Sequence, residues 1–169
     1  MRVICAWCHQ ELEADPQHAD EPGTEISHGI CPSCKDYFLS GRRPTLDEFL
    51  NRLAVPVLVV DEQGVIALAN QHALDILGKE LNTVQGYKGG DAMECAYARL
   101  PGGCGKTEHC KACTIRNSVM ETFDTGQSLL RVPAYLNRRT DDGTVRIRFL
   151  ISTEKVDDTV LLRIDQVGQ

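Results

Sequence analysis

What this chain has little of narrows its class before any motif is read. Aromatic residues make up 5% of its 169 positions, and its longest apolar run, Val55–Val60, is interrupted by Pro56. A membrane-spanning helix needs roughly 20 apolar residues, so none is expected. Positive charge is also short: 18 Lys and Arg stand against 24 Asp and Glu, a net charge of −6. That field repels phosphate backbones and anionic lipid alike, which argues against nucleic-acid and membrane partners. The opening Met1-Arg2-Val3-Ile4-Cys5 lacks the apolar core of a signal peptide, so a cytoplasmic location is expected. Phosphate loops, dinucleotide-binding glycine fingerprints and zinc motifs with an open position are missing, and a protein that is not an enzyme is the expectation.

What is present fits a folded chain: 42% of residues are apolar and 25% charged. The length suits one domain of about 120 residues plus a small module that needs a staple. The eight cysteines supply candidates for it. In a reducing compartment they are more readily metal ligands or redox groups than structural disulfides.

The first 40 residues carry few apolar side chains, and Glu11, Glu13, Asp15, Asp20, Glu21 and Glu25 lie between two cysteine pairs. Cys5-x2-Cys8 and Cys31-x2-Cys34, separated by 22 residues, form two knuckles at a spacing close to that of structural zinc sites. Four thiolates close a tetrahedral shell about Zn²⁺ with no open position, and metal binding then supplies folding free energy that burial cannot. With its Ser27-His28-Gly29-Ile30-Cys31-Pro32-Ser33-Cys34 stretch, this segment resembles a bacterial zinc ribbon. His9 and His28 are read as surface groups or neighbours of the ligands, and Trp7, Tyr37 and Phe38 as aromatics of a miniature core.

Gly41 and Pro44 mark a hinge at about 40–45, dividing a ribbon at 1–40 from a second domain at 41–169. Thr45-Leu46-Asp47-Glu48 reads as a capping box. Leu46, Phe49, Leu50 and Leu53 follow at helical spacing, an apolar stripe expected to contribute to a homodimer. Val57–Val60, a turn at 61–64 and Val65–Ala69 read as a β-hairpin. Asn70 caps a helix that Gly78 ends, and a further helix is expected at Thr114–Thr125, stopped by Gly126. Residues 79–113 read as loop. A three-strand meander is expected at 129–136, 145–152 and 159–164. In its middle strand Val145, Ile147, Phe149 and Ile151 share one face.

The hairpin, its Asp61-Glu62-Gln63-Gly64 turn, Asn70 and Leu77-Gly78 resemble the opening of PAS domains. The resemblance implies an α+β fold, a five-stranded antiparallel sheet with helices on one face. It implies a sensory role in which a ligand or cofactor held between sheet and helices alters a surface. An attached kinase, cyclase or DNA-binding domain is not expected, and the signal is expected to pass to a protein partner by contact.

Cys95, Cys104, Cys110 and Cys113, with gaps of eight, five and two residues, fall where the family places its cofactor pocket. All-thiolate shells suit a [4Fe–4S] or [2Fe–2S] cluster or a second zinc. The arrangement is similar, in count and location, to PAS domains that hold an iron–sulfur cluster. A metal-free thiol–disulfide switch stays open: Cys110 and Cys113 precede a helix N-terminus, where the dipole and Lys106 or Lys111 lower a thiol pKa. The favoured reading is an intracellular sensor of redox state or oxygen. Its alternatives are that switch and a non-sensing, zinc-stabilised interaction module.

Overall fold

A computed structural model describes residues 2–14, 26–41 and 45–168. Asp15, Asp20, Glu21, Glu25 and the hinge residues Arg42, Arg43 and Pro44 lie outside the described residues. The chain divides into two compact units, Met1–Ala54 and Val55–Gln169.

In the first unit, β1 (Arg2–Cys5), β2 (Glu11–Ala14) and β3 (Ile26–Gly29) form a sheet in the order β2-β1-β3. β1 runs antiparallel to β2 and parallel to β3. Helix α1 (Pro32–Leu39) starts with Pro32, whose missing N–H costs nothing in a first turn, and is capped by the Cys31 side chain. Helix α2 (Leu46–Leu50) carries the expected capping box: Glu48 N–H donates to Thr45 Oγ1, and Thr45 N–H to the Glu48 carboxylate.

The units divide about ten residues beyond the expected hinge, because α2 and the turn after it are tied to the first unit. The Arg52 guanidinium lies 3.4 Å above the Tyr37 ring, and the Ala54 amide donates to the Cys8 carbonyl at 3.0 Å. Leu50 and Leu53 are buried in the single chain, with Leu50 only 1% exposed, while Leu46 is exposed. The stripe thus does not present the bare apolar surface from which a dimer was expected.

The second unit is a five-stranded antiparallel sheet. Its strands are β4 (Val57–Val60), β5 (Ile66–Ala69), β6 (Leu129–Thr140), β7 (Gly143–Val156) and β8 (Thr159–Gly168), in the order β5-β4-β8-β7-β6. One sheet face carries α3 (Gln71–Leu77) and α6 (Thr114–Thr125). Leu58, Val60, Ile151, Val160 and Leu162 of the sheet share a buried cluster with Leu74, Leu77 and Val119 of these helices. This mixed α+β architecture is consistent with the PAS fold. Among the described residues no helix is long and apolar enough to cross a membrane.

Residues 79–113 are not plain loop. They hold two single-turn helices, α4 (Leu81–Val84) and α5 (Gly89–Ala92), and 3-10 turns at Ala96–Arg99 and Glu108–Ala112. Segments of four or five residues are too short to show a helical period, so only their tertiary setting reveals them. In β7 the expected alternation holds for Phe149 and Ile151, which are buried, but Val145 lies at the exposed end of the strand. A register shift between Leu150 and Ile151 breaks the alternation, and Ser152 and Thr153 are both buried.

Two polar contacts seat the helices. Asn70 is fully buried: its Oδ1 accepts from the amides of Val57 and Ala73, and its Nδ2 donates to the Val55 carbonyl, pinning the start of β4 to the start of α3. The buried Thr122 and Thr153 hydroxyls, 2.6 Å apart, join α6 to β7, and Lys155 Nζ donates to the Phe123 carbonyl. Asn70→Ala strands two buried backbone partners and removes the cap of α3. It is expected to lower the stability of the second unit by about 2–4 kcal/mol, read as a shift in the midpoint of urea unfolding.

Candidate metal centre and thiol-lined cavity

The first four cysteines come together as their spacing suggested. Cys5 ends β1, Cys8 follows in a tight turn in which the His9 amide donates to the Cys5 carbonyl, Cys31 caps α1 and Cys34 sits in the first turn of that helix. All four are buried, their sulfurs lie within 4.8 Å of one another, and with Leu12 they form a hydrophobic cluster of their own. Amides point at the sulfurs: Cys31 N–H donates to Cys5 Sγ at 3.4 Å and Cys34 N–H to Cys31 Sγ at 3.3 Å.

The electrostatics of the set suits a cation. Burial works hardest against ionisation of Cys5, but the amides of Cys8, Cys31 and Trp7 together outweigh it and bring the thiol down to about 6. Burial and the neighbouring sulfurs push Cys34 up, and burial pushes Cys8 up. A buried shell that ionises one thiol easily and resists the next needs a central positive charge to become a full set of thiolates, so these residues can hold a metal ion. His9 and His28 are exposed and outside the set. Trp7 and Phe38 lie 4.4 Å apart with rings tilted by 46°, and Tyr37 meets Phe38 edge-on. Trp7 and Phe38 remain 46% and 42% exposed, so of the expected aromatic core only Tyr37 is partly buried.

Cys95, Cys104, Cys110 and Cys113 behave differently. All four line one cavity of about 460 Å³, whose floor includes Leu58, Val60, Val119 and Leu162. Among the described residues, the first set is the one group of ligating side chains close enough to hold a single ion, and these four sulfurs do not close such a shell.

Each thiol is placed by a separate device. Cys95 follows Glu94, whose backbone is left-handed at φ 59°, a conformation an ordinary side chain rarely adopts. Glu94 is clamped by Arg138 at 3.2 Å and Lys79 at 3.3 Å, which hold its carboxyl below its ordinary range, and the Arg139 amide donates to its carbonyl. Cys104 packs against the backbone of Gly90: a Cβ on Gly90 would lie 2.6 Å from the sulfur. Cys110 Sγ accepts from the Gly105 amide and shares a hydrogen bond with the Thr107 hydroxyl, both at 3.1 Å. Cys113 is the residue immediately before α6, placed by the start of that helix.

Burial pushes Cys104 and Cys113 up. Burial also opposes ionisation of Cys110, but Thr107, the Gly105 amide and the Arg116 charge prevail and lower it. Arg116, a cation the sequence did not point to, acts on Cys110. His109 stacks on Tyr97 at 3.8 Å, and Asn137 donates to the Tyr97 hydroxyl, tying the thiol loop to β6. Sequence reasoning missed Lys88, Gly90, Tyr97 and Arg116. The Gly89-Gly90 pair was visible, but nothing in it told which glycine faces a sulfur.

No family model matches the chain, and no curated protein matches it. Among solved structures it is similar to a LOV protein from Rhodobacter sphaeroides, with 17% identity and a TM-score of 0.49 over 71% of this chain. The chain spans 63% of that protein's length. It is also similar to the PAS domain of nitrogen regulation protein NR(II) from Vibrio parahaemolyticus, with 12% identity and a TM-score of 0.47 over 73% of this chain and 99% of that one. A third is the PAS domain of the RpfR quorum-sensing receptor from Cronobacter turicensis, in complex with BDSF, with 18% identity and a TM-score of 0.43 over 65% of this chain and 90% of that one.

Gly90→Ala drives a methyl into Cys104 Sγ and is expected to cost about 1–3 kcal/mol. A Cβ on neighbouring Gly89 meets nothing within 4 Å, so Gly89→Ala is expected to be neutral or stabilising by up to about 1 kcal/mol. Paired thermal melts of the two variants check this contrast.

Proposed function

We propose that this chain is a sensory signalling protein whose second unit responds to redox state or oxygen through an iron–sulfur cluster held by Cys95, Cys104, Cys110 and Cys113. The first unit, on this reading, is a structural zinc ribbon. One observation carries the proposal: four thiols ring a single cavity without closing to the distances of a one-ion shell. A cluster spreads its ligands over several iron atoms, so its cysteine sulfurs stand further apart than those around one ion. The donor set is all sulfur, Cys110 accepts from the Gly105 amide and shares a hydrogen bond with the Thr107 hydroxyl, contacts of the kind that stabilise a ligated thiolate, and Gly90 leaves room for Cys104. The residues fit the group.

Bound there, a cluster supplies a one-electron couple. The protein's part is to hold it, keep one side dry with the apolar floor and connect it to the sheet. Three such connections run from the loop: Cys95 through Glu94 to Arg138 of β6, His109 through Tyr97 to Asn137 of β6, and Cys113 directly into α6. A change at the thiols is passed along them to a surface that a protein partner, or a second copy in a homodimer, reads. The chain acts in the cytoplasm, neither as an enzyme nor on nucleic acid or membranes.

Zinc suits the first set because a tetrahedral ion with bonds of about 2.3 Å to sulfur has edges of about 3.8 Å. Cys8 Sγ and Cys31 Sγ lie 3.7 Å apart. The second reading, an interaction module with zinc at both sites, is weaker because the second four sulfurs do not gather about one point.

Anaerobic purification, visible absorption and metal counting test both sites. The expected outcome is brown protein with one zinc per chain, losing its colour but not its zinc in Cys113→Ser. Colourless protein with two zinc ions would sink the cluster. Chelation of the zinc is expected to unfold the described part of residues 1–40 and leave the second unit standing, followed by amide NMR. Persistence of the first unit's dispersed amide signals after complete zinc removal would count against its structural role.

A further inference from the structure

Two cations converge beside the thiol loop without an acidic partner. Lys88 precedes α5 and donates through Nζ to the Cys104 carbonyl at 3.2 Å. Arg116 lies in the first turn of α6, three residues after Cys113. A Cβ built on Gly105 would stand 3.5 Å from Lys88 Nζ and 3.5 Å from Arg116 Nε, so both charges reach one point on the loop backbone. At that point the Gly105 amide donates to Cys110 Sγ. Among the described residues neither cation forms an ion pair, whereas Lys79, Arg138 and Arg163 all do.

Like charges brought to one place repel unless something negative stands between them. The negative groups beside them are the thiols: Lys88 Nζ holds the carbonyl of Cys104, and the Arg116 charge acts on Cys110, while the Asp91 carboxylate acts on Cys104 in the opposite sense. Four thiolates carry more negative charge than an iron–sulfur core returns, in a chain whose net charge is already −6. Gly105 takes the left-handed backbone, φ +87°, that turns its amide toward Cys110 between the two cations.

We infer that Lys88 and Arg116 are the charge-compensating residues of the four-thiolate centre, favouring its more negative, reduced state and so setting the potential at which the sensor switches. This rests on the reading that a cluster occupies the cavity. Reduction would take one electron from an external one-electron donor into the iron of the centre and add one negative charge to the centre as a whole, which two adjacent cations would stabilise. Because Arg116 belongs to α6 and Lys88 leads into α5, the same charge change also pulls on the two helices that border the cavity.

The test is a dithionite titration of the anaerobically purified full chain, followed by visible absorption. Measured variants are Lys88→Gln, Arg116→Gln, the double variant, and the charge-keeping Lys88→Arg and Arg116→Lys. Lys111→Gln is the control, since Lys111 is exposed. Each Gln variant is expected to move the midpoint potential to more negative values, the double variant furthest, while the charge-keeping variants stay near wild type and Lys111→Gln does not move. Brown Gln variants with full iron content and an unshifted midpoint overturn the inference and leave the cluster intact. Loss of iron from the charge-keeping variants as well as the Gln variants also overturns it, since shape rather than charge would then be required. Colourless wild-type protein overturns the cluster reading and this inference together.

Discussion

Desolvated sulfur is the constraint on which both units depend. A thiol removed from water resists ionisation, and several packed together resist it more, so a chain that buries cysteines must supply amides, cations or metal to settle them. In the first unit the four sulfurs, with Leu12, form the hydrophobic cluster that its three short strands and α1 surround. Little else could take their place in so polar a segment. The knuckle backbone therefore serves two ends, turning the chain and aiming N–H groups at sulfur.

The second unit meets the same constraint with a different solution. Its aliphatic core is independent of cysteine, built from β4, β7 and β8 against α3 and α6, and it can afford a hollow beside it. The thiols are set around that hollow by separate devices: a strained, doubly clamped Glu94, a bare Gly90, an amide and hydroxyl pair at Cys110, and a helix start at Cys113. Such a rim can follow changes in charge that a closed shell would not transmit. It also lies where α6, itself pinned by Thr122 to Thr153, meets the sheet.

Where one-dimensional pattern and tertiary structure agree, the signal was local. Asn70 caps α3 and Gly78 closes it in a left-handed conformation, because capping chemistry is decided within four residues. Gly126 ends α6 for the same reason. The Val57–Val60 and Ile66–Ala69 hairpin was readable from β-branching and an Asp-x-x-Gly turn. Disagreement appears where distance decides. The unit boundary moved to Ala54 because Arg52 stacks on Tyr37, fifteen residues away, and Leu50 disappeared from the surface for reasons no helical period contains.

The amino-acid sequence by itself determined that two knuckles of cysteine would need a common partner, that a β-hairpin, a capped helix and a three-strand meander would make an antiparallel sheet with helices, and that four further thiols would share one segment. These follow from spacing, periodicity and turn chemistry, which act between near neighbours. Only the tertiary structure decided that the first four sulfurs close into a shell while the second four line a cavity. It also decided that Gly90 rather than Gly89 makes room for a sulfur, and that Lys88 and Arg116, which lie outside the thiol loop in sequence, reach its backbone at Gly105. Those choices depend on which residues distant in sequence are pressed together, and burial and charge have no local signature that fixes them.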